Sequence, residues 1–380
     1  MALSALSVAK HFGRLRDPRR NHRKLHLLID IITIALCAAI CGANDWQQTV
    51  TFGRRRLNWL KTFLALPNGI PAHDTFERVF DRLDPHAFLG CFQRWVESVT
   101  HALGLKHIAI DGKTMRHSGK TTTKLKPLHI VSAWANEHQL TLGQVAVDDK
   151  SNEITAIPRL LELLDLQGAL VTIDAMGCQK AIAKQIVAGG GDYVLPVKDN
   201  QPNLLADIRE TIAEVLDNGQ EGVAYHTYET TDKNHGRQEI RSYMIVTDLD
   251  KIRSRKEWAE LKVVGMYTST RIIAGKRSDE AHYFIGSRAA DAQVYGDALR
   301  SHWGIENNLH WQLDVTFGED ANRVQQRHGG QNLALLRRLA LSLLKRHRSK
   351  ASMACKRLAA ALDTDFLEEI LSEGSNLGKG

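Results

Sequence analysis

Apolar residues recur at helical spacing through roughly the first 100 positions. Leu25 to Ala43 is apolar on most sides, which predicts a buried helix. Gly42 closes it, and Asn44 or Asp45 is placed to cap a second helix over Trp46 to Phe63. The turn-rich Pro67-Asn68-Gly69-Ile70-Pro71 follows, and helical patterns resume at Asp74 to Phe80 and at Pro85 to Leu103. After Gly104 the pattern changes to short apolar runs, His107 to Ile110, Leu128 to Ala135 and Leu140 to Val147, which predict a three-stranded meander. A helix over Glu153 to Leu164, a buried strand Leu170 to Ile173, a helix Gln179 to Ala188 and a strand Tyr193 to Val197 complete an α/β order. From Val223 to Ser287 the period is two again, as expected of a β-rich insertion. Helical spacing returns over Asp291 to Gln312 and Leu333 to Leu344.

The 380 residues are 43% hydrophobic and 24% charged, proportions of a globular chain and not of a disordered tail or a fibre. The longest apolar run, Ile31 to Ala43, is too short to span a bilayer, and the basic stretch before it is long for a signal peptide, so a cytoplasmic protein without membrane association is expected. Five scattered cysteines without a CxxC pair predict neither a disulfide framework nor a cysteine-rich zinc site. Gly189-Gly190-Gly191 lacks the Gly-Lys-Ser/Thr of a P-loop, which argues against nucleotide-driven chemistry.

The net charge of +7 is unevenly placed. Residues 1 to 60 hold ten Lys and Arg, among them Arg14 to Lys24 and the run Arg54-Arg55-Arg56, against three aspartates. A second basic block runs from Arg337 to Arg357. Such blocks attract polyanions by counterion release, so nucleic acid is the partner to consider first, with ordinary solvated faces as the alternative.

Two aspartates follow apolar strands directly: Asp111 after Ile108-Ala109-Ile110 and Asp174 after Val171-Thr172-Ile173. If those strands are neighbours, their carboxylates converge at one sheet edge, where two anions call for a divalent cation. Oxygen ligands favour Mg²⁺ or Mn²⁺ over zinc. The alternative is that each aspartate only forms a turn or caps a helix. Glu306 is the candidate third ligand, on a helix face that also carries His302, Trp303, Leu309 and His310. The spacing of His302, Glu306 and His310 leaves open a zinc site or a structural polar stripe.

These segments, together with Lys150-Ser151-Asn152-Glu153-Ile154, Tyr193 to Gln201, His235-Gly236-Arg237-Gln238-Glu239 and His302-Trp303-Gly304-Ile305-Glu306-Asn307, resemble the H-repeat-associated group of DDE insertion-sequence transposases over about residues 8 to 350. The front segment takes part through Asp45-Trp46 and Phe52-Gly53. The resemblance implies an α/β fold: a ribonuclease-H-like mixed sheet with flanking helices, an N-terminal helical domain and a β-rich insertion. It implies five parts: a basic, DNA-associated domain (1–103), the first part of the core (104–222), the insertion (223–290), the last core helices (291–350) and a C-terminal tail or helix (351–380).

The same resemblance implies that Asp111, Asp174 and Glu306 are the catalytic, metal-holding triad, with Mg²⁺ as cofactor and Mn²⁺ as a substitute. It further implies double-stranded DNA, both element ends and target, as partner, assembly as a dimer or larger on DNA, and residence at the nucleoid when bound. Many relatives with such an insertion carry a Tyr-x2-Arg-x3-Glu-x6-Lys pattern. This chain has Leu299, His302 and Leu313 where that pattern has Tyr, Arg and Lys, so Arg300, Lys198 and Arg237 are the substitute phosphate cations. Lys113 is read as a solvated lysine or a phosphate contact, Trp303 as a base-stacking or core residue, and Arg54, Arg55 and Arg56 as DNA contacts. The expected activity is metal-dependent cleavage at element ends followed by strand transfer. A nuclease that does not join strands and a catalytically silent DNA-binding relative are the alternatives.

Overall fold

A computed structural model describes residues 7–20, 24–100, 104–120, 122, 125–148, 150–217, 224–234 and 236–372. Arg23, His235 and the last eight residues of the expected tail lie outside these. The chain divides into two units: Met1–Gly104, Gly112–Ser151 and Glu306–Gly380 in the first, Leu105–Asp111 and Asn152–Ile305 in the second.

The first unit opens with helices α1 (Ser7–Phe12), α2 (Leu28–Ile40), α3 (Trp46–Arg55), α4 (Leu57–Leu60), α5 (His73–Arg82) and α6 (Pro85–Thr100). Helix α2 is buried on nearly every side, as its uniform apolarity requires. Asp45 caps α3 by accepting from the Gln48 amide at 2.7 Å. The single helix expected over Trp46 to Phe63 is split at Arg56, which leaves helical geometry while its guanidinium donates to the Ala361 carbonyl.

Strand β1 (His107–Met115) is shared by the two units, and the hairpin β2 (Leu128–Ala135) and β3 (Leu140–Ala146) belongs to the first. The second unit contains α7 (Glu153–Leu161), β4 (Leu170–Ile173), α8 (Lys180–Ala188), β5 (Asp192–Val197), α9 (Pro202–Asp217), β6 (Tyr225–Asn234), β7 (Arg237–Val246), β8 (Val263–Ile273), β9 (Lys276–Gly286) and α10 (Ala292–Ile305). Two π-helical segments, Glu306–His310 and Gln312–Thr316, continue directly from α10. Helices α11 (Arg327–Arg346), α12 (Met353–Leu362) and α13 (Thr364–Ser372) return to the first unit, where α11 packs on α2, α5, α6 and β3.

Hydrogen bonding orders the strands β3-β2-β1-β4-β5-β9-β8-β7-β6. β1, β4 and β5 are parallel, with Ile110 paired to Ile173 and Thr172 to Val194. The order 3-2-1-4-5 with these parallel strands is the ribonuclease-H-like mixed sheet that the sequence led us to expect. The β-rich stretch does not stand apart from it: β9 pairs antiparallel with β5, from Val194↔Gly286 to Val197↔Tyr283, and β8, β7 and β6 follow outward. Val194, Tyr243, Phe284, Tyr295 and Leu299 form the core beneath, closing α10 onto the sheet. Helix α9, to which the sequence reading assigned no element, buries Leu204, Leu205, Ile208, Ile212 and Val215 at helical spacing.

Among the described residues no helix is long and apolar enough to cross a membrane.

Candidate active site and nucleic-acid interface

Because Ile110 pairs with Ile173 in adjacent parallel strands, the residues that follow them, Asp111 and Asp174, stand side by side at one sheet edge. Asp174 is held in place by its own turn: its Oδ1 accepts from the Gly177 amide at 3.2 Å, capping the short 3₁₀ turn Ala175–Gly177. Only glycine fits at 177, since a Cβ there would meet Ile173 Cγ2 at 2.3 Å. Burial raises the Asp174 carboxyl above its usual range. The Gly177 amide opposes this, and the charges of Glu153 and Asp111 push it further up. Asp111 does not end its strand as expected. Pairing with β4 stops at Ile110, but β1 runs on to Met115 with β2 as its other neighbour.

Lys198 is exposed in the loop after β5. That loop is tied to the turn following Asp174, where Asn200 Nδ2 donates to the Ala175 carbonyl at 2.8 Å and Gln201 Nε2 to the Cys178 carbonyl at 3.0 Å. On α10, His302 Nδ1 lies 3.0 Å from Thr172 Oγ1, whose other side meets His107 Nε2 at 2.9 Å. Trp303, one residue on, is 53% exposed and therefore not a core residue.

Glu306 is exposed at the first position of the π-helical segment. The change from α to π geometry widens the turn, so Glu306 and His310 no longer share the i, i+4 face on which the zinc reading rested. Among the described residues no three His, Cys, Asp or Glu side chains stand together as a metal centre. The pair Asp111 and Asp174 is the part of the expected triad that the second unit brings together by itself. Two neighbouring carboxylates, one raised by burial and repulsion, suit a hard divalent cation.

Lys113 is neither solvated nor open to a phosphate. It is buried and paired with Asp314 Oδ1 at 2.5 Å and Asp320 Oδ1 at 3.1 Å, which compensates its charge in the interior. Arg237 begins β7 and pairs with Glu239 at 2.6 Å, while Arg300 pairs with Asp232 at 2.7 Å and, with Arg241, holds that carboxyl below its usual range. Both guanidiniums remain nearly half exposed. Arg54 and Arg55 are exposed in the last turn of α3, whereas Arg56 is engaged with the Ala361 carbonyl.

Residues 103–343 match the family described as "Transposase DDE domain", and residues 9–96 match the one described as "DDE_Tnp_1-associated". The chain belongs to the DDE transposases. It is 36% identical over 376 residues to the "H repeat-associated putative transposase YhhI" of Escherichia coli (strain K12), covering 97% of this chain and 98% of that protein. It is 44% identical over 285 residues to an "Uncharacterized protein in dhlA 3'region" of Xanthobacter autotrophicus, covering 74% and 94%. A solved piggyBac transposase synaptic complex with hairpin DNA aligns at a TM-score of 0.40 and 11% identity, over 96% of this chain and 78% of that chain.

Sequence reasoning about this transposase missed two features of the sheet edge. Glu153, whose charge is felt at Asp174, opens α7 and was read only as part of a family segment. The signal was an acid at a helix start, a position that usually means only a favourable helix dipole. The Thr172 bridge between two histidines had no signal, because a threonine within a buried strand is ordinary β-sheet composition.

Proposed function

We propose that this transposase cuts DNA at the ends of its own element and joins the resulting 3′-hydroxyl to target DNA, using Mg²⁺ or Mn²⁺. The observation that carries the reading is the convergence of Asp111 and Asp174 at the ends of paired stretches of β1 and β4, with Asp174 raised by burial and by neighbouring negative charge. In this reading Asp111 and Asp174 hold the cation and Glu306 supplies the third carboxylate. A divalent cation held there would supply Lewis-acid polarisation of the phosphoryl group and a more acidic attacking water or 3′-hydroxyl.

The protein's own groups orient the DNA. Lys198 neutralises a phosphate at the sheet edge, and Arg237 and Arg300 follow the backbone further out. Arg54 and Arg55 add contacts from the N-terminal helices, where Arg56 serves the fold through its bond to the Ala361 carbonyl. His302, steadied by Thr172, orients the attacking group or a phosphate, and Trp303 stacks on an unpaired base near the cut. Lys113 acts through its aspartate pairs and not on DNA. Joining two ends calls for at least two copies assembled on DNA, in the cytoplasm at the nucleoid.

The test is cleavage and joining of the gene's own flanking DNA ends by the purified chain with Mg²⁺, beside Asp174→Ala and Glu306→Ala. Cleavage and joining by wild type, lost in both folded variants, is the expected result. Cutting without joining indicates a plain nuclease, and specific binding without any metal-dependent cutting indicates a silent DNA-binding protein.

A further inference from the structure

Far from the acidic edge in sequence, the N-terminal helices enclose an open cavity of about 640 Å³ whose lining includes Arg19, Arg20, Arg78 and Arg82, with Leu25 and Val79 among its apolar walls. The four guanidiniums are not equivalent. Arg19 is consumed by the fold: it grips Asp17 with two bonds of 3.0 and 2.8 Å and donates to the His26 carbonyl at 2.6 Å. Arg20 and Arg78 have no carboxylate partner among the described residues, the side-chain bond of Arg78 going to the Asp74 backbone carbonyl at 2.9 Å, while Arg82 acts on the carboxyl of the neighbouring Asp81 without forming an ion pair with it. Arg78 and Arg82 stand one turn apart on the same face of α5, an arrangement that repels and weakens a helix. The acids of that helix, Asp74, Glu77 and Asp81, are not part of the lining.

Three exposed arginines around one cavity fit a ligand with more than one negative charge. Arginine forks match phosphate oxygens in geometry as well as charge. The volume takes the backbone of one strand and not a whole duplex, with the exposed Leu25 beside its sugars. We infer that this cavity is a DNA-backbone site in which Arg20, Arg78 and Arg82 hold phosphates along one strand of a bound duplex. The inference rests on the DNA-transposase reading and adds to it a binding site apart from the acidic edge.

The experiment measures binding of a labelled duplex to the full chain in chelator across a salt series, for wild type, the triple variant Arg20→Gln/Arg78→Gln/Arg82→Gln, its all-lysine counterpart, and Asp174→Asn. Each phosphate contact contributes about 0.9 to the slope of log affinity against log salt, so the glutamine variant should lower that slope by roughly 2 to 3 and the lysine variant should restore it. Unfolding midpoints matching wild type establish that the variants are folded. A slope unchanged to within about 0.5 in the folded glutamine variant overturns the inference. If that happens while wild type cuts DNA and Asp174→Asn does not, the transposase reading survives and the cavity alone falls. If wild type binds no DNA, both fall.

Discussion

Thr172 Oγ1 lies 3.0 Å from His302 Nδ1, joining the strand that leads to Asp174 to the helix that leads to Glu306. The same hydroxyl meets His107 Nε2 at 2.9 Å, so one nearly buried threonine serves two imidazoles. Thr172→Val keeps the shape and removes both bonds. We expect a loss of about 1–3 kcal/mol in urea unfolding and a drop in DNA cleavage, with Thr172→Ser close to wild type. A valine variant as stable and as active as wild type would show that the bridge contributes nothing.

Asp174 and Asp111 repel each other when no cation is present. Thermal unfolding of wild type should therefore shift upward with Mg²⁺, by about 1–3 kcal/mol at ten- to hundredfold excess over Kd. In Asp174→Asn this metal-dependent gain should vanish, while the metal-free protein should be at least as stable as wild type. An equal Mg²⁺ shift in both proteins would place the cation elsewhere.

Arg338 and Glu319 form an ion pair of 3.0 Å with both side chains fully buried, and Arg338 Nε also donates to Ser132 Oγ at 3.2 Å. Arg338→Met strands the glutamate in the interior and should cost about 3–5 kcal/mol. Converting both partners to apolar residues should recover much of that loss, which a double-mutant cycle in chemical denaturant measures directly.

Lys345 is pushed down to about 8, mainly by burial and further by Lys356, although it donates to Gln139 and Asn308 at 2.9 and 3.1 Å. Between that value and the ordinary 10.5, the unfolded chain holds more protons than the folded one at this position, so stability should rise with pH from about 8 to 10.5. Below about 8 the penalty for burying the charge is fully present. Lys345→Met should remove this slope from the pH dependence of unfolding, and a slope identical to wild type would refute the assignment.

Much of the fold was legible. The strand Leu170 to Ile173 and the hairpin strands were readable because buried strands are unbroken apolar runs between polar turns. Of the candidate site, the two aspartates were legible because each follows such a run. Helix α9 is likewise legible, with Pro202 at its first position and apolar residues at helical spacing. Lys113 was different. Lysine is almost always solvated, and its partners Asp314 and Asp320 lie some 200 positions away in the chain, so no local pattern could announce its burial.

The sequence alone determined the order of strands and helices, the basic N-terminal stretch and the family to which the chain belongs, because periodicity, charge and motif are local properties of the chain. Only the tertiary structure decided that Ile110 would stand opposite Ile173, that β9 would extend the core sheet through β5, and that the helix reaching Glu306 would widen into π geometry. Those outcomes depend on pairing register and on packing between residues distant in sequence. The same long-range packing separates the arginines used by the fold from those left facing open space.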